Sequence, residues 1–388
     1  MRIPPGAPSL SEKETPMRKL PRNRRSSLLL ALAVLVLALT ACGGGEEATP
    51  AEPPAATTEA PPATTEAPPA TTEAPPATTE APPAEPVTLK VALDWFPNPD
   101  HVSLYYALKN GFWDDKALTV NLKTPSDPSA GLKLVATNRF DLAVYYQGDM
   151  FFAAEQGLPV IAVGALIPEP LNSMIALADS KVQGPDSIKG ATIGVAGLPF
   201  DDAILKTLRQ QQGLGEGAVK KVNVGFNLVP ALLTKKADAV IGAYWNIEGN
   251  QIKLKTGNDP VIIKLDQIGV PTYDELLIVA NKDRLASDAA YADAVKRFLA
   301  GLVEAAPAAQ ADVPGAVQLM KENSDYKANE IDVMVPPTLD ALTPASGNVG
   351  CFNLDAWNAF GQWMVDNKLL KTPIDTSTIA TNDYLPGC

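Results

Sequence analysis

Histidine is all but missing from this chain. His101 is the only one, and cysteine occurs three times, at Cys42, Cys351 and Cys388. One histidine and no close cysteine pair leave too few ligands for a metal site, so none is expected. The serine-nucleophile GxSxG motif, the HExxH helix and the Walker loop are absent. "GLGEG" (213–217) is too short and irregular for a dinucleotide fingerprint, and no cofactor is expected. A lone histidine also limits acid–base schemes, without excluding carboxylate catalysis. Positive charge is scarce as well. The formal net charge is −12, and residues 1–41 hold seven basic and two acidic groups, so the remainder stands near −17. An acidic surface of that size excludes nucleic acid as a partner.

Only one long apolar run is present near the start, Leu28 to Leu39, behind a basic stretch that begins at Met17. It is too short for a comfortable membrane span and has the layout of a secretory signal over residues 1–41, with Met17 as a possible true start. The run ends in Leu39-Thr40-Ala41-Cys42 followed by three glycines, which resembles a bacterial lipobox. Cys42 would then carry lipid and hold the protein on the extracytoplasmic face of the cell membrane. An ordinary cleaved signal and an N-terminal anchor helix are the alternatives. Residues 42–86 follow as a linker, with "TTEAPPA" repeated four times from Thr57 to Ala84. Proline, threonine and glutamate bury no apolar area, so a semi-extended polyproline-like spacer is expected.

From Val87 onward, strand-like and helix-like segments alternate, which argues for α/β architecture with parallel sheets flanked by helices. "TLKVAL" (88–93), "LTVNLK" (118–123) and "FDLAVY" (140–145) read as strands with helices between them. A second set follows with "ATIGVAG" (191–197), "KKVNVG" and "ADAVIGAY" (237–244), and Asp201 reads as the cap of the helix "DAILKTLRQQQG". The expected layout is two lobes with a cleft between them: 87–180 for lobe 1, 181–272 for lobe 2, and 273–388 returning to complete lobe 1 with C-terminal helices. Cys351 and Cys388 both fall in that return, where an extracytoplasmic address permits a disulfide; two unpaired thiols are the alternative.

In open α/β sheets, ligands meet the carboxyl ends of the strands. Those ends hold a biased set. Asp94, Trp95, Asn98 and His101 follow the first strand; Tyr145, Tyr146 and Gln147 follow the third; Leu198, Pro199 and Phe200 follow "TIGVAG". Tyr244, Trp245, Asn246 and Glu248 follow "AVIGA", and Tyr273 and Glu275 precede the returning strand. Planar faces with a few carboxylates and amides suit a flat nitrogen heterocycle, stacked on Trp or Tyr and hydrogen-bonded at its edge. No arginine or lysine falls at these ends, so an amino-acid or phosphate ligand lacks its clamp. Each aromatic could instead be core, Asp94 a turn former, and Glu248 a first-turn acid favoured by the helix dipole.

Four stretches follow in order along a core of about Val87 to Asn281: "LDWFPNPDHVSLYYALKNGFW", "GLKLVATNRFDLAVYYQ", "LVPALLTKKADAVIGAYWNIEG" and "GVPTYDELLIVANKD". Together they resemble the bacterial ABC-importer substrate-binding proteins for thiamine pyrimidine precursors, which are related to the fungal thiamine-pyrimidine synthase. The resemblance implies a two-lobed periplasmic-binding-protein fold of type II that closes on an N-formylated aminomethyl-pyrimidine or a relative. It implies pocket roles for Trp95, Asn98, His101, Tyr145, Gln147, Asn246 and Glu248, with Tyr273 and Glu275 in the "GVPTYDEL" stretch. An ABC permease and ATPase are the implied partners, and the receptor is expected to be a monomer and not an enzyme. The fungal synthase needs a cysteine-rich run, and the core before Cys351 has no cysteine beyond Cys42. Val102 and Ser103 stand where members often have glycine, and Tyr244-Trp245 is bulkier than usual. Riboflavin is therefore the alternative ligand, with sulfonates or nitriles behind it. A sensory lipoprotein of the same fold is the alternative outside transport.

Overall fold

The computed structural model describes residues 85–344 and 347–388. The chain divides into two units, Met1–Ala77 and Thr78–Cys388. The signal segment, Cys42 and the repeats to Ala84 lie outside the described residues. No helix among the described residues is long and apolar enough to cross a membrane.

Among the described residues, ten strands form two five-stranded sheets. The first contains β1 (Val87–Ala92), β2 (Leu118–Lys123), β3 (Leu142–Tyr145) and β4 (Val160–Ile167). The second contains β5 (Asn172–Ala176), β6 (Thr192–Val195), β7 (Lys220–Asn223), β8 (Ala239–Tyr244) and β9 (Val261–Lys264). The chain then returns to the first sheet as β10 (Leu276–Asn281). The orders are β2-β1-β3-β10-β4 and β7-β6-β8-β5-β9.

Helices α1 (Val102–Lys109), α2 (Gly131–Ala136) and α3 (Gln147–Glu155) belong to the first lobe. Helices α4 (Pro199–Gln211), α5 (Leu228–Leu233) and α6 (Glu248–Thr256) belong to the second. After β10 the chain is helical: α7 (Lys282–Ser287), α8 (Ala289–Ala311), α9 (Val313–Asn323), α10 (Ala328–Asp340) and α11 (Leu354–Asp366).

The sheets are mixed, not wholly parallel. β1 pairs in parallel with β2 and β3, and β6 with β7 and β8. β10 runs antiparallel between β3 and β4, and β5 antiparallel between β8 and β9. Both inserted strands are those that have just crossed from the other lobe, so each enters its sheet from the opposite end. β5 also moves the first crossing to 168–171, ahead of the expected boundary at 181. The apolar runs at β4, β5 and β10 are buried on every residue, as strands covered on both faces require.

Two local points bear on the site. Helix α4 begins at Pro199, not after Asp201. Proline suits the first helical position, where its missing N–H would have no partner. Asp201 therefore sits inside the first turn and reaches back. Its Oδ2 accepts from the N–H groups of Gly197 (3.2 Å) and Leu198 (3.3 Å). At the far end, Cys351 and Cys388 are joined, with Cα atoms 5.8 Å apart. The tail also pairs with the edge of the first sheet, where Ala162 N–H donates to Ile379 O (2.8 Å).

Candidate functional site

The strand ends of the two sheets face each other across one cavity, lined from both lobes and from the second crossing. It is narrow, leaving about 30 Å³ for the centres of water molecules. That is room for one to three waters.

The segment after β1 builds one wall. Asn98 caps a short turn, its Oδ1 accepting from Asp100 N–H (2.8 Å). This turn buries His101 completely and aims its ring back at the strand end. His101 Nε2 lies 2.7 Å from Asp94 Oδ1, and Nδ1 accepts from Asn98 N–H (3.3 Å). The Tyr146 hydroxyl donates to Asp94 Oδ2 (3.0 Å), so both oxygens of Asp94 are held. Trp95 extends from the same turn and meets Phe226 of the second lobe edge-on, ring centroids 4.5 Å apart.

The second lobe supplies Glu248 at the start of α6. Its Oε2 accepts from Tyr244 N–H (2.8 Å), the usual way a first-turn acid satisfies backbone donors. Glu275 sits at the second crossing and fastens it to the first. Its Oε2 accepts from Leu171 N–H (2.7 Å), Asn172 N–H (2.8 Å) and the Tyr273 hydroxyl (2.9 Å).

Of the residues expected from the strand ends, the cavity gathers Asp94, Trp95, Asn98, Tyr146, Tyr244, Glu248, Tyr273 and Glu275. The remainder lie off it. His101 is behind Asp94. Asn246 is fully buried, its Nδ2 donating to Asp100 Oδ1 and Thr338 Oγ1, each at 2.7 Å. Gln147 faces the hinge, where its Oε1 accepts from Asp274 N–H (2.9 Å). Tyr145 and Pro199 line a separate groove on the far side of Asp149. Trp245 points away, with the Lys264 ammonium 4.5 Å from its ring centroid.

The cavity also holds Asp100, Asp149, Asn172 and Gly242, which the sequence did not single out, Asp201, which it offered only as a cap, and Phe200. Asp100 and Asp149 read as ordinary first-turn acids, and only the third dimension turns them inward. Phe200 stood in the strand-end inventory, but as one apolar residue among others.

Six carboxylates thus line one enclosed space, and no lysine or arginine does so among the described residues. Burial dominates the titration of five of them. It raises Glu248, Glu275 and Asp201 to about 7, against the pull of their backbone donors. Asp100 and Asp149 are pushed well above the usual carboxylate range, mainly by burial. The neighbouring acids add to it: Asp94 and Glu248 raise Asp100, and Asp201 raises Asp149. Such a site stabilises a ligand that brings N–H donors or positive charge, and it disfavours an anion.

Two α/β lobes joined by a double crossing, with a cleft at their facing strand ends, define a periplasmic-binding-protein fold. Among solved structures, the alkanesulfonate-binding protein SsuA of Xanthomonas axonopodis pv. citri superposes with a TM-score of 0.61, covering 77% of this chain and 99% of that one. At 14% identity this likeness concerns the fold alone. The NMT1/THI5-like family description matches residues 98–314, and the chain belongs to that family. A Haemophilus influenzae protein named for thiamine biosynthesis is 37% identical over 244 residues, 63% of this chain and 75% of that one. The formylaminopyrimidine-binding protein of Halalkalibacterium halodurans is 35% identical over 195 residues, 50% of this chain and 59% of that one. The family also has members named as synthases. The yeast 4-amino-5-hydroxymethyl-2-methylpyrimidine phosphate synthase THI11 is 25% identical over 244 residues, 61% of this chain and 70% of that one.

Proposed function

We propose that this chain is the lipid-anchored, extracytoplasmic receptor of an ABC importer and that it captures a thiamine pyrimidine precursor of the formylaminopyrimidine type. One observation carries the reading: an enclosed space walled by aromatic rings and carboxylates, with no cation in its lining. An aminopyrimidine offers a flat face for Trp95, Tyr146 and Tyr244, and an edge of N–H donors for Glu248 and Glu275. A carboxyl held near pH 7 can share a proton with a ring nitrogen whose own affinity for it is similar. Anionic ligands such as sulfonates would meet uncompensated carboxylates here, whatever the fold has in common with their receptors. The name of the Halalkalibacterium relative agrees with this ligand class. Closure of the lobes would then present the loaded receptor to a permease–ATPase complex, with Cys42 as the tether.

Capture, not synthesis, fits the lining. The cavity includes neither a lysine nor a cysteine among the described residues, and its sole histidine neighbour is turned toward Asp94. The test is a titration of the purified protein with formylaminopyrimidine and, separately, with riboflavin, following tryptophan fluorescence. Saturable change with the pyrimidine is expected, because Trp95 lines the cavity. A response to riboflavin alone would overturn the ligand assignment.

A further inference from the structure

The two crossings between the lobes have a second side. On the second crossing, Glu275 lines the cleft, whereas Thr272 and Asp274 line a separate cavity of about 410 Å³. Pro168, at the first crossing, lines that cavity too. Its outer wall is the C-terminal tail, with Phe352, Trp357 and the Cys351–Cys388 disulfide. Tyr273 is the one residue that the two linings share.

One polar group in this lining is unmet. Gln147, at the start of α3, is fully buried, and its Oε1 accepts from Asp274 N–H (2.9 Å) while its Nε2 has no hydrogen-bond partner. A buried amide N–H left bare is costly, and beside a cavity it marks a place for an acceptor. Asp274 stands next to it, its Oδ2 accepting from Trp357 Nε1 (2.6 Å). Loss of water raises the Asp274 carboxyl to about 7, against the pull of that donor. No lysine or arginine lines the cavity among the described residues, so an anion finds no counter-charge. Pro168, Phe352 and Trp357 supply apolar walls, with the centroids of the two rings 5.2 Å apart.

We propose that this cavity behind the hinge is a second binding site, for a small neutral carboxamide carried on a flat ring, and that its occupant favours the closed lobes. The carbonyl oxygen accepts from Gln147 Nε2, the amide N–H groups face the Asp274 carboxyl, and the ring packs on the Pro168 and Phe352 side. A hinge that narrows the cleft in front of it opens space behind it. A molecule seated against both crossings therefore resists their return to the open form. Such a ligand tunes the receptor without competing for the cleft.

Calorimetric titration of the full chain with benzamide tests the site. Saturable binding is expected, and benzoate should bind about tenfold more weakly or worse, for want of a counter-charge. Ala356→Phe pushes a ring into the same cavity from α11 and alters no residue of the cleft lining, so it should weaken benzamide by about tenfold or more. Absence of saturable binding, equal binding of benzoate, or undiminished binding by Ala356→Phe overturns the site. The effect on closure is read with formylaminopyrimidine and to that extent rests on the pyrimidine reading above. Saturating benzamide should tighten the pyrimidine by about fivefold or more, and the pyrimidine should tighten benzamide by the same factor. An unchanged or weakened pyrimidine affinity overturns the coupling. If no pyrimidine binds, that reading falls, while the comparison of benzamide with benzoate, which needs no variant, still decides the site.

Discussion

At one end of the cleft, Asp94 and Glu248 sit beside Trp95, next to an outer groove that Trp95 and Glu248 also line. At the other end, Asp149 and Asp201 sit around Phe200, with no indole near them in the lining. The first end is stiff: both oxygens of Asp94 are bonded, and Glu248 is fixed by Tyr244. The second end is half satisfied and is crossed by one hydrogen bond between lobes. A preformed wall selects a ring by shape, whereas an unsatisfied pair rewards whatever completes it. On the proposed function, this difference gives recognition of the heterocycle to the first end and coupling to closure to the second.

The largest effect should come from breaking the first end. Glu248→Ala removes the carboxylate proposed to face the ring edge and leaves Tyr244 N–H without its acceptor. Ligand affinity is expected to fall about 100-fold, or roughly 3 kcal/mol, as for loss of a buried anchor. A calorimetric Kd within threefold of the unaltered protein would remove Glu248 from the site.

The second end is sharpened by Gly148. On α3, a methyl group there would lie 2.5 Å from the ring of Phe200 on the other lobe, closer than any real contact. Phe200 in turn packs against Tyr273 and Phe360, centroids 5.9 and 5.7 Å away, so it has little room to retreat. Gly148→Ala should therefore hold the lobes apart, with affinity weaker by about tenfold. Small-angle X-ray scattering with saturating ligand is expected to show a larger radius for the variant than for the unaltered protein. Identical radii would mean that closure does not bring Phe200 onto α3.

Between the ends, Glu275 gives a pH signature. Its carboxyl stands at about 7 in the folded protein against 4.5 when free, so the folded state holds the extra proton in that window. Stability contributed by the protonated form is then lost as pH rises from about 4.5 to 7, by at most about 3 kcal/mol for this group. Glu275→Gln keeps an oxygen for Leu171 and Asn172 and removes the titration. Its Tm should fall less steeply than that of the unaltered protein across that window in thermal melts. Parallel slopes would show that Glu275 is ionised when folded. A cationic ligand should reverse the trend, because it favours the ionised acids.

The first end was readable from the chain because its residues cluster. Asp94, Trp95 and Asn98 share one turn, and Tyr244 and Glu248 share another. Strand alternation likewise placed β1, β2, β3, β6, β7 and β8 and the two-lobed layout. The antiparallel insertion of β5 and β10 was not readable, since an apolar run carries no direction. Nor was the second end. Asp201 sits where a capping acid is expected, and Asp149 in a first turn where acids are common. Asp201 does cap α4, whereas Asp149 accepts from Phe200 N–H across the cleft, and each uses only one of its two oxygens. Nothing in a linear string shows that these two acids, one on each lobe, line one space.

The smallest effect should come from the mouth, where the first end meets solvent. Phe226, from the loop before α5, holds Trp95 edge-on and Phe96 at 4.6 Å, and Phe96 is 46% exposed. This three-ring contact spans the lobes, yet Phe226 does not line the inner cavity. Phe226→Ala should therefore leave recognition of the ring alone and loosen the seal. An aromatic pair contributes about 0.5–1.5 kcal/mol beyond its area, which corresponds to roughly a two- to tenfold faster ligand release. Stopped-flow tryptophan fluorescence separates the rates. A raised dissociation rate with an unchanged association rate is expected of a seal. A slowed association with unchanged release would instead make Phe226 part of the approach path, and the contrast between a stiff first end and a closing second end would have to be redrawn around the mouth.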